Sequence, residues 1–115
     1  MRGRLGDKAR LQHILESIIE VESYLIDVDF SGFAGNSMMK FACVKQLEII
    51  GEASNHLSDD LKANFSTINW SQIVGVRNVL VHEYFGVDFK LVWEIVKNDL
   101  PDLKEKVVTI IDSLG

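Results

Sequence analysis

Apolar residues recur at three- and four-residue steps along most of this chain, and that period is the period of a helix. Leu11, Ile14, Leu15, Ile18, Val21 and Leu25 form the first stripe, with Glu16, Glu20 and Asp27 on the other side. The pattern predicts an amphipathic helix from about Asp7 to Asp27, with Asp7 as its N-cap. Val28 to Asn36 carries two glycines, Ser31 and Asn36, and reads as a loop. A second helix follows from about Ser37 to His56. Its apolar positions (Met38, Met39, Phe41, Ala42, Cys43, Leu47, Ile49, Ile50, Ala53) cover an arc wide enough to meet both a helix of the same chain and a second subunit.

Beyond it, Ser58, Asp59 and Asp60 have the composition of a cap for a short helical turn through Phe65. Trp70, Ile73, Val74, Leu80 and Val81 mark a helix from about Asn69 to Tyr84, which Gly86 stops. Asp88 caps a helix carrying Leu91, Val92, Ile95 and Val96. Pro101 kinks or restarts the chain, and Leu103, Val107, Ile110, Ile111 and Leu114 form the last stripe. No alternating strand pattern persists. The expected fold is all-α, a four- to five-helix up-down bundle, with residues 1–115 forming one domain.

Composition narrows the classes. The chain is 47% hydrophobic and 25% charged, which fits a folded core and not a disordered tail. No apolar run approaches the roughly 18 residues of a membrane span, and the opening residues lead into an amphipathic pattern and not a signal core. The lone cysteine, Cys43, lies in an apolar helical stretch and reads as a buried reduced thiol, so a cytoplasmic location is expected. A formal net charge of −5 argues against nucleic-acid binding through bulk basicity, although a local patch remains open. Arg2, Arg4, Lys8 and Arg10 crowd the first ten residues and read as a solvated terminus in preference to an RNA-binding arm.

Several usual sites are missing from the sequence. There is no phosphate-binding glycine loop and no paired-cysteine motif; His13, His56 and His82 are scattered; no metal or cofactor is expected. Glu48 and Glu52, four apart on one helix, read as a solvated or hydrogen-bonded face. The segment that stands out is Arg77-Asn78-Val79-Leu80-Val81-His82-Glu83-Tyr84-Phe85-Gly86. Arg77 and Tyr84 share a helix face, and unwinding near Gly86 can bring His82 toward them. Such a trio suits metal-independent RNA cleavage. Histidine can take the proton of a ribose 2′-hydroxyl near neutral pH, and a guanidinium can stabilise the charge on the attacked phosphate. A two-fold dimer would supply a second histidine as the acid. The structural alternatives are a surface arginine, a histidine on a helix dipole and a packed tyrosine.

The same residues resemble the signature of the HepT-like family of the HEPN superfamily: Arg, four residues, His, one residue, Tyr, here Arg77, His82 and Tyr84, with Asn78 in a supporting position. The resemblance extends to Arg10-Leu11-Gln12-His13-Ile14-Leu15-Glu16, Ile50-Gly51-Glu52-Ala53, Trp70-Ser71-Gln72-Ile73, Val92-Trp93 and Leu100-Pro101-Asp102-Leu103. It implies a helical bundle that dimerises and places the motif in a shared cleft. It also implies a metal-independent endoribonuclease acting as the toxin of a type VII-like toxin–antitoxin pair. Arg77 and His82 would be catalytic. Tyr84 would be AMPylated by an MntA-like nucleotidyltransferase antitoxin. The competing reading is a non-catalytic nucleotide-binding or docking subunit for such a nucleotidyltransferase. The acidic chain and Glu83 within the motif both work against phosphate affinity.

Overall fold

The computed structural model describes residues 2–81 and 87–115, and for residues 2–5 and 77–81 the helical backbone alone. In chain order the helices are α1 (Arg2–Tyr24), α2 (Phe30–Ala34), α3 (Ser37–Asn55), α4 (Asp59–Asn64), α5 (Trp70–Val81), α6 (Phe89–Glu94) and α7 (Leu100–Leu114). A π-helical turn, Ile95–Asp99, joins α6 to α7. The fold is all-helical, with no strand among the described residues. Four long helical bodies, α1, α3, α5 and α6–α7, account for the expected stripes, and α2 and α4 are short additions.

The stripes meet in one core. Leu11, Ile14, Ile18 and Val21 of α1, Cys43, Leu47 and Ile50 of α3, and Val92, Val107 and Ile110 of α6 and α7 are all buried. Full burial of such side chains contributes about 1.5–3 kcal/mol each. Side-chain contacts fix the directions. Asp7 near the start of α1 reaches Ser58 beyond the end of α3, and Lys104 of α7 reaches Glu22 near the end of α1. Both pairs of helices are therefore antiparallel.

Three local expectations are corrected. Asp7 does not cap α1, which begins upstream at Arg2. Its carboxylate is buried and accepts from the Ser58 backbone N–H (2.8 Å) and hydroxyl (2.5 Å). Ser58 is in turn the N-cap of α4, accepting from Leu61 N–H. Second, α1 ends at Tyr24, and Asp27 takes a left-handed conformation (φ 57°) as the chain turns. Third, the expected loop holds α2. Five residues are too few for a helix to persist alone. Two features hold α2: the Asp29 side chain accepts from Gly32 N–H, and Phe33 is fully buried in the core.

Pro101 does not restart the chain, because the helical path runs through it. The residues around the junction, Glu94, Ile95, Asp99 and Leu100, keep right-handed helical dihedrals. Proline has no N–H to offer the carbonyl four residues back and its ring collides with it. The chain widens by one residue just before Pro101, and Leu100 N–H bonds to Ile95 O across the π turn.

Candidate ribonuclease site

The candidate motif begins on α5, so the placement of α5 comes first. Its N-terminus is capped by Asn69, whose side chain accepts from Gln72 N–H at 3.1 Å. Trp70 is buried, and its indole N–H donates to Phe65 O at 3.2 Å, tying the helix to the end of α4. Gly51 of α3 then lets the two backbones approach. A Cβ built there would stand 3.3 Å from Ile73 O and 3.7 Å from Val74 O. Gly51 belongs to the Ile50-Gly51-Glu52-Ala53 stretch noted in the sequence, and this close approach is its structural role.

Arg77 and Asn78 lie on the last turns of the α5 backbone. Their side chains, and all of His82, Tyr84, Glu83 and Gly86, lie outside the described residues. Val81 is the last described residue of α5, the expected continuation to Tyr84 lies outside the described residues, and Asp88 caps α6 by accepting from Leu91 N–H at 3.1 Å. Arg77 and Asn78 are thus on α5, and the start of α6 that follows the motif in sequence lies against the beginning of α3, where Phe89 meets Phe41.

There lies a group of aromatic side chains whose meeting the sequence does not show, although Phe41 belongs to the wide apolar arc of α3 and Trp93 to the Val92-Trp93 pair. Phe41 of α3 meets Phe89 of α6 edge-on, with centroids 5.2 Å apart. Trp93, one turn further along α6, contacts Phe30 and Phe33 of α2 at 5.8 and 5.1 Å. Two lysines cover this group: Lys40 Nζ lies 4.4 Å from the Phe89 ring centre, and Lys97 Nζ 4.8 Å from that of Trp93. Phe41, Phe89 and Phe30 lie far apart in sequence, so no local pattern announces their meeting.

Elsewhere, Arg10, His13, Lys45, Glu48, Glu52 and His56 line a shallow groove of about 430 Å³ between α1 and α3. Glu52 pairs with His56 at 3.0 Å, as a hydrogen-bonded polar face should. No group of three or more His, Cys, Asp or Glu among the described residues can hold a metal ion. A second groove of about 420 Å³ has an apolar floor that includes Leu47, Ile50, Ile73 and Val76. Cys43 is fully buried, and loss of solvation pushes its thiol up to about 11. It is a packed thiol, not a nucleophile.

The architecture is an all-helical bundle whose sequence carries Arg77, His82 and Tyr84, and comparison places it within a family. A family model described as "Ribonuclease HepT-like" matches residues 14–110. The chain is 44% identical over 100 residues to "Putative RNase MJ1380" of Methanocaldococcus jannaschii, covering 87% of this chain and 92% of that one. It is 38% identical over 99 residues to "Probable ribonuclease HepT" of Thermococcus cleftensis, covering 86% and 90%. A protein of Caldanaerobacter subterraneus named "Putative RNase TTE0752" is 34% identical over 101 residues, covering 88% and 90%. No solved structure gives a significant match. The chain belongs to the HepT-like ribonuclease family. Among the described residues no helix is long and apolar enough to cross a membrane.

Proposed function

We propose that this chain is a metal-independent endoribonuclease in which Arg77 and His82 carry the reaction. The observation that carries the reading is the intact Arg77–His82–Tyr84 spacing, in a chain matched by the ribonuclease family along most of its length. His82 accepts the proton of a ribose 2′-hydroxyl. The 2′-oxygen attacks the adjacent phosphorus, and the bond to the 5′-oxygen of the next nucleotide breaks. The products are a 2′,3′-cyclic phosphate and a 5′-hydroxyl. Arg77 stabilises the charge that accumulates on the phosphorane, with Asn78 in support. The leaving oxygen needs a proton from the opposite side. In a homodimer with a shared cleft, the partner subunit's His82 supplies it.

The toxin role and its control belong to the same proposal. Residues 1–115 act as one cytoplasmic domain, paired with an MntA-like nucleotidyltransferase that transfers AMP from ATP to the Tyr84 hydroxyl, releasing pyrophosphate. The new phosphodiester adds negative charge and bulk next to Arg77, where the RNA backbone must lie.

The test is cleavage of total cellular RNA by the purified protein in EDTA, alongside Arg77→Ala and His82→Ala. Cleavage leaving 2′,3′-cyclic ends, lost in both variants, is expected. Intact RNA after incubation with unmodified wild type would overturn the ribonuclease reading and favour a docking or nucleotide-binding subunit. Incubation with the nucleotidyltransferase and ATP should add the mass of one AMP to wild type and none to Tyr84→Phe.

A further inference from the structure

A ribonuclease of this kind must hold its substrate single-stranded around the scissile phosphate, because the 2′-oxygen has to swing into line with the leaving oxygen. Single strands are held by flat aromatic faces for the bases and by cations for the phosphates. Both are found where α2, α3 and α6 meet. Phe41 is 55% exposed and Phe30 41%, well beyond what aromatic core residues show. Phe89 and Trp93, four residues apart on α6, share one face and link the two into a continuous surface. Lys40 and Lys97 stand over its rings.

From this we infer that Phe41, Phe30, Phe89 and Trp93, with Lys40 and Lys97, form a platform for single-stranded RNA at the end of the bundle where α3 and α6 begin. The proposal rests on the ribonuclease reading and locates its substrate. Charge favours RNA over a second copy of the chain as the occupant. A self-interface would bury two ammonium groups, and lysine is depleted from the cores of such interfaces. Asp29 and Asp88 each give one oxygen to a helix-capping hydrogen bond, and with Glu94 they are exposed carboxylates that set the charge the two lysines must outweigh. A polynucleotide takes both features at once: bases stack on Phe41 and Phe30, and phosphates draw the lysines off the ring faces.

The experiment is binding of a 2′-O-methyl oligonucleotide of about ten nucleotides, read by fluorescence anisotropy across a salt series. That probe lacks the 2′-hydroxyl nucleophile and stays intact, so binding is measured separately from cleavage. Phe41→Ala and Phe41→Leu should each weaken binding about tenfold, while Phe41→Trp, which keeps a π-face, should retain it. Lys40→Gln and Lys97→Gln should each flatten the dependence of log affinity on log salt by about 0.7. All variants should stay folded, with melting points within a few degrees of the wild type, because Phe41 is 55% exposed and gives up chiefly its edge contact with Phe89. Equal affinity of wild type, Phe41→Ala and Phe41→Leu would overturn the platform, even if cleavage in EDTA upholds the ribonuclease. So would sedimentation showing that Phe41→Ala splits a dimer while Phe41→Leu preserves both the dimer and RNA affinity, since that result marks a self-interface. Wild type that cleaves nothing but binds RNA through Phe41 would overturn the ribonuclease reading and leave the platform standing.

Discussion

Two glycines in neighbouring helices should respond to the same substitution in opposite ways. Gly51 on α3 and Gly75 on α5 both occupy helix interiors, where replacing glycine by alanine gains about 1 kcal/mol from reduced backbone entropy. At Gly75 a Cβ would meet nothing within 4 Å among the described residues, so the gain should appear in full. At Gly51 the new Cβ would stand 3.3 Å from Ile73 O, a backbone atom of a packed helix that cannot rotate aside. The α5 backbone must retreat by a few tenths of an ångström, and overpacking of this kind costs roughly 1–3 kcal/mol. The net effect at Gly51 should lie between neutral and about 2 kcal/mol destabilising. Urea titrations followed by Trp70 and Trp93 fluorescence would separate the two. Gly75→Ala should raise the midpoint and raise Tm by about 4 °C, and Gly51→Ala should do neither. Because α5 carries Arg77, Gly51→Ala should also slow RNA cleavage more than its stability loss accounts for. If Gly51→Ala proved as stabilising as Gly75→Ala, the close approach would not constrain α5, and the argument that Gly51 positions the motif-bearing helix would fail.

Other perturbations follow from single contacts. Asp7→Ala removes both acceptors from Ser58 and should cost about 2 kcal/mol in urea unfolding; combined with Ser58→Ala the losses should be clearly less than additive. The raised folded-state value of Cys43 means that its contribution is complete below pH 9 and is lost as pH climbs toward about 11. Over that window stability should fall by about 1.4 kcal/mol per pH unit, and Cys43→Ala should abolish this part of the slope. Asp27→Gly should change stability by no more than about 1 kcal/mol in thermal melts, because relief of the left-handed strain at φ 57° is largely offset by the greater backbone entropy of glycine; a clear loss would mean that the Asp27 side chain holds the turn.

What could be read from the chain and what could not divides along the range of the interactions. Helical stripes such as Leu11–Ile14–Ile18–Val21 are set by neighbours three and four residues away, and the structure buries all four. The caps Ser58 and Asp88 were legible for the same reason, since each bonds a backbone N–H three residues on. Asp7 has the composition of a cap too, but its partner is Ser58, which no local window contains. The α2 helix was hidden because its glycine and serine favour loops, and only the burial of Phe33 against distant helices outweighs them. Pro101 was visible as a disturbance, yet whether a helix breaks or widens at a proline depends on how firmly both flanks are packed. The motif was legible as spacing alone. The aromatic surface was not, because Phe41, Phe89 and Phe30 meet only once α2, α3 and α6 are assembled.

The bond between Asp7 and Ser58 has a consequence in time. The N-terminal cap of α4 is shared with a carboxylate from 51 residues earlier in the chain, so it is complete only after α1 and α3 have docked. A contact closed that late should be largely unformed in the folding transition state, because long-range closure is costly until the surrounding core repays it. Asp7→Ala should therefore leave the refolding rate nearly unchanged and express its effect as faster unfolding. Asp7 thus acts as a latch on an assembled bundle, setting how long the native state lasts while leaving the speed of its formation to the helical stripes.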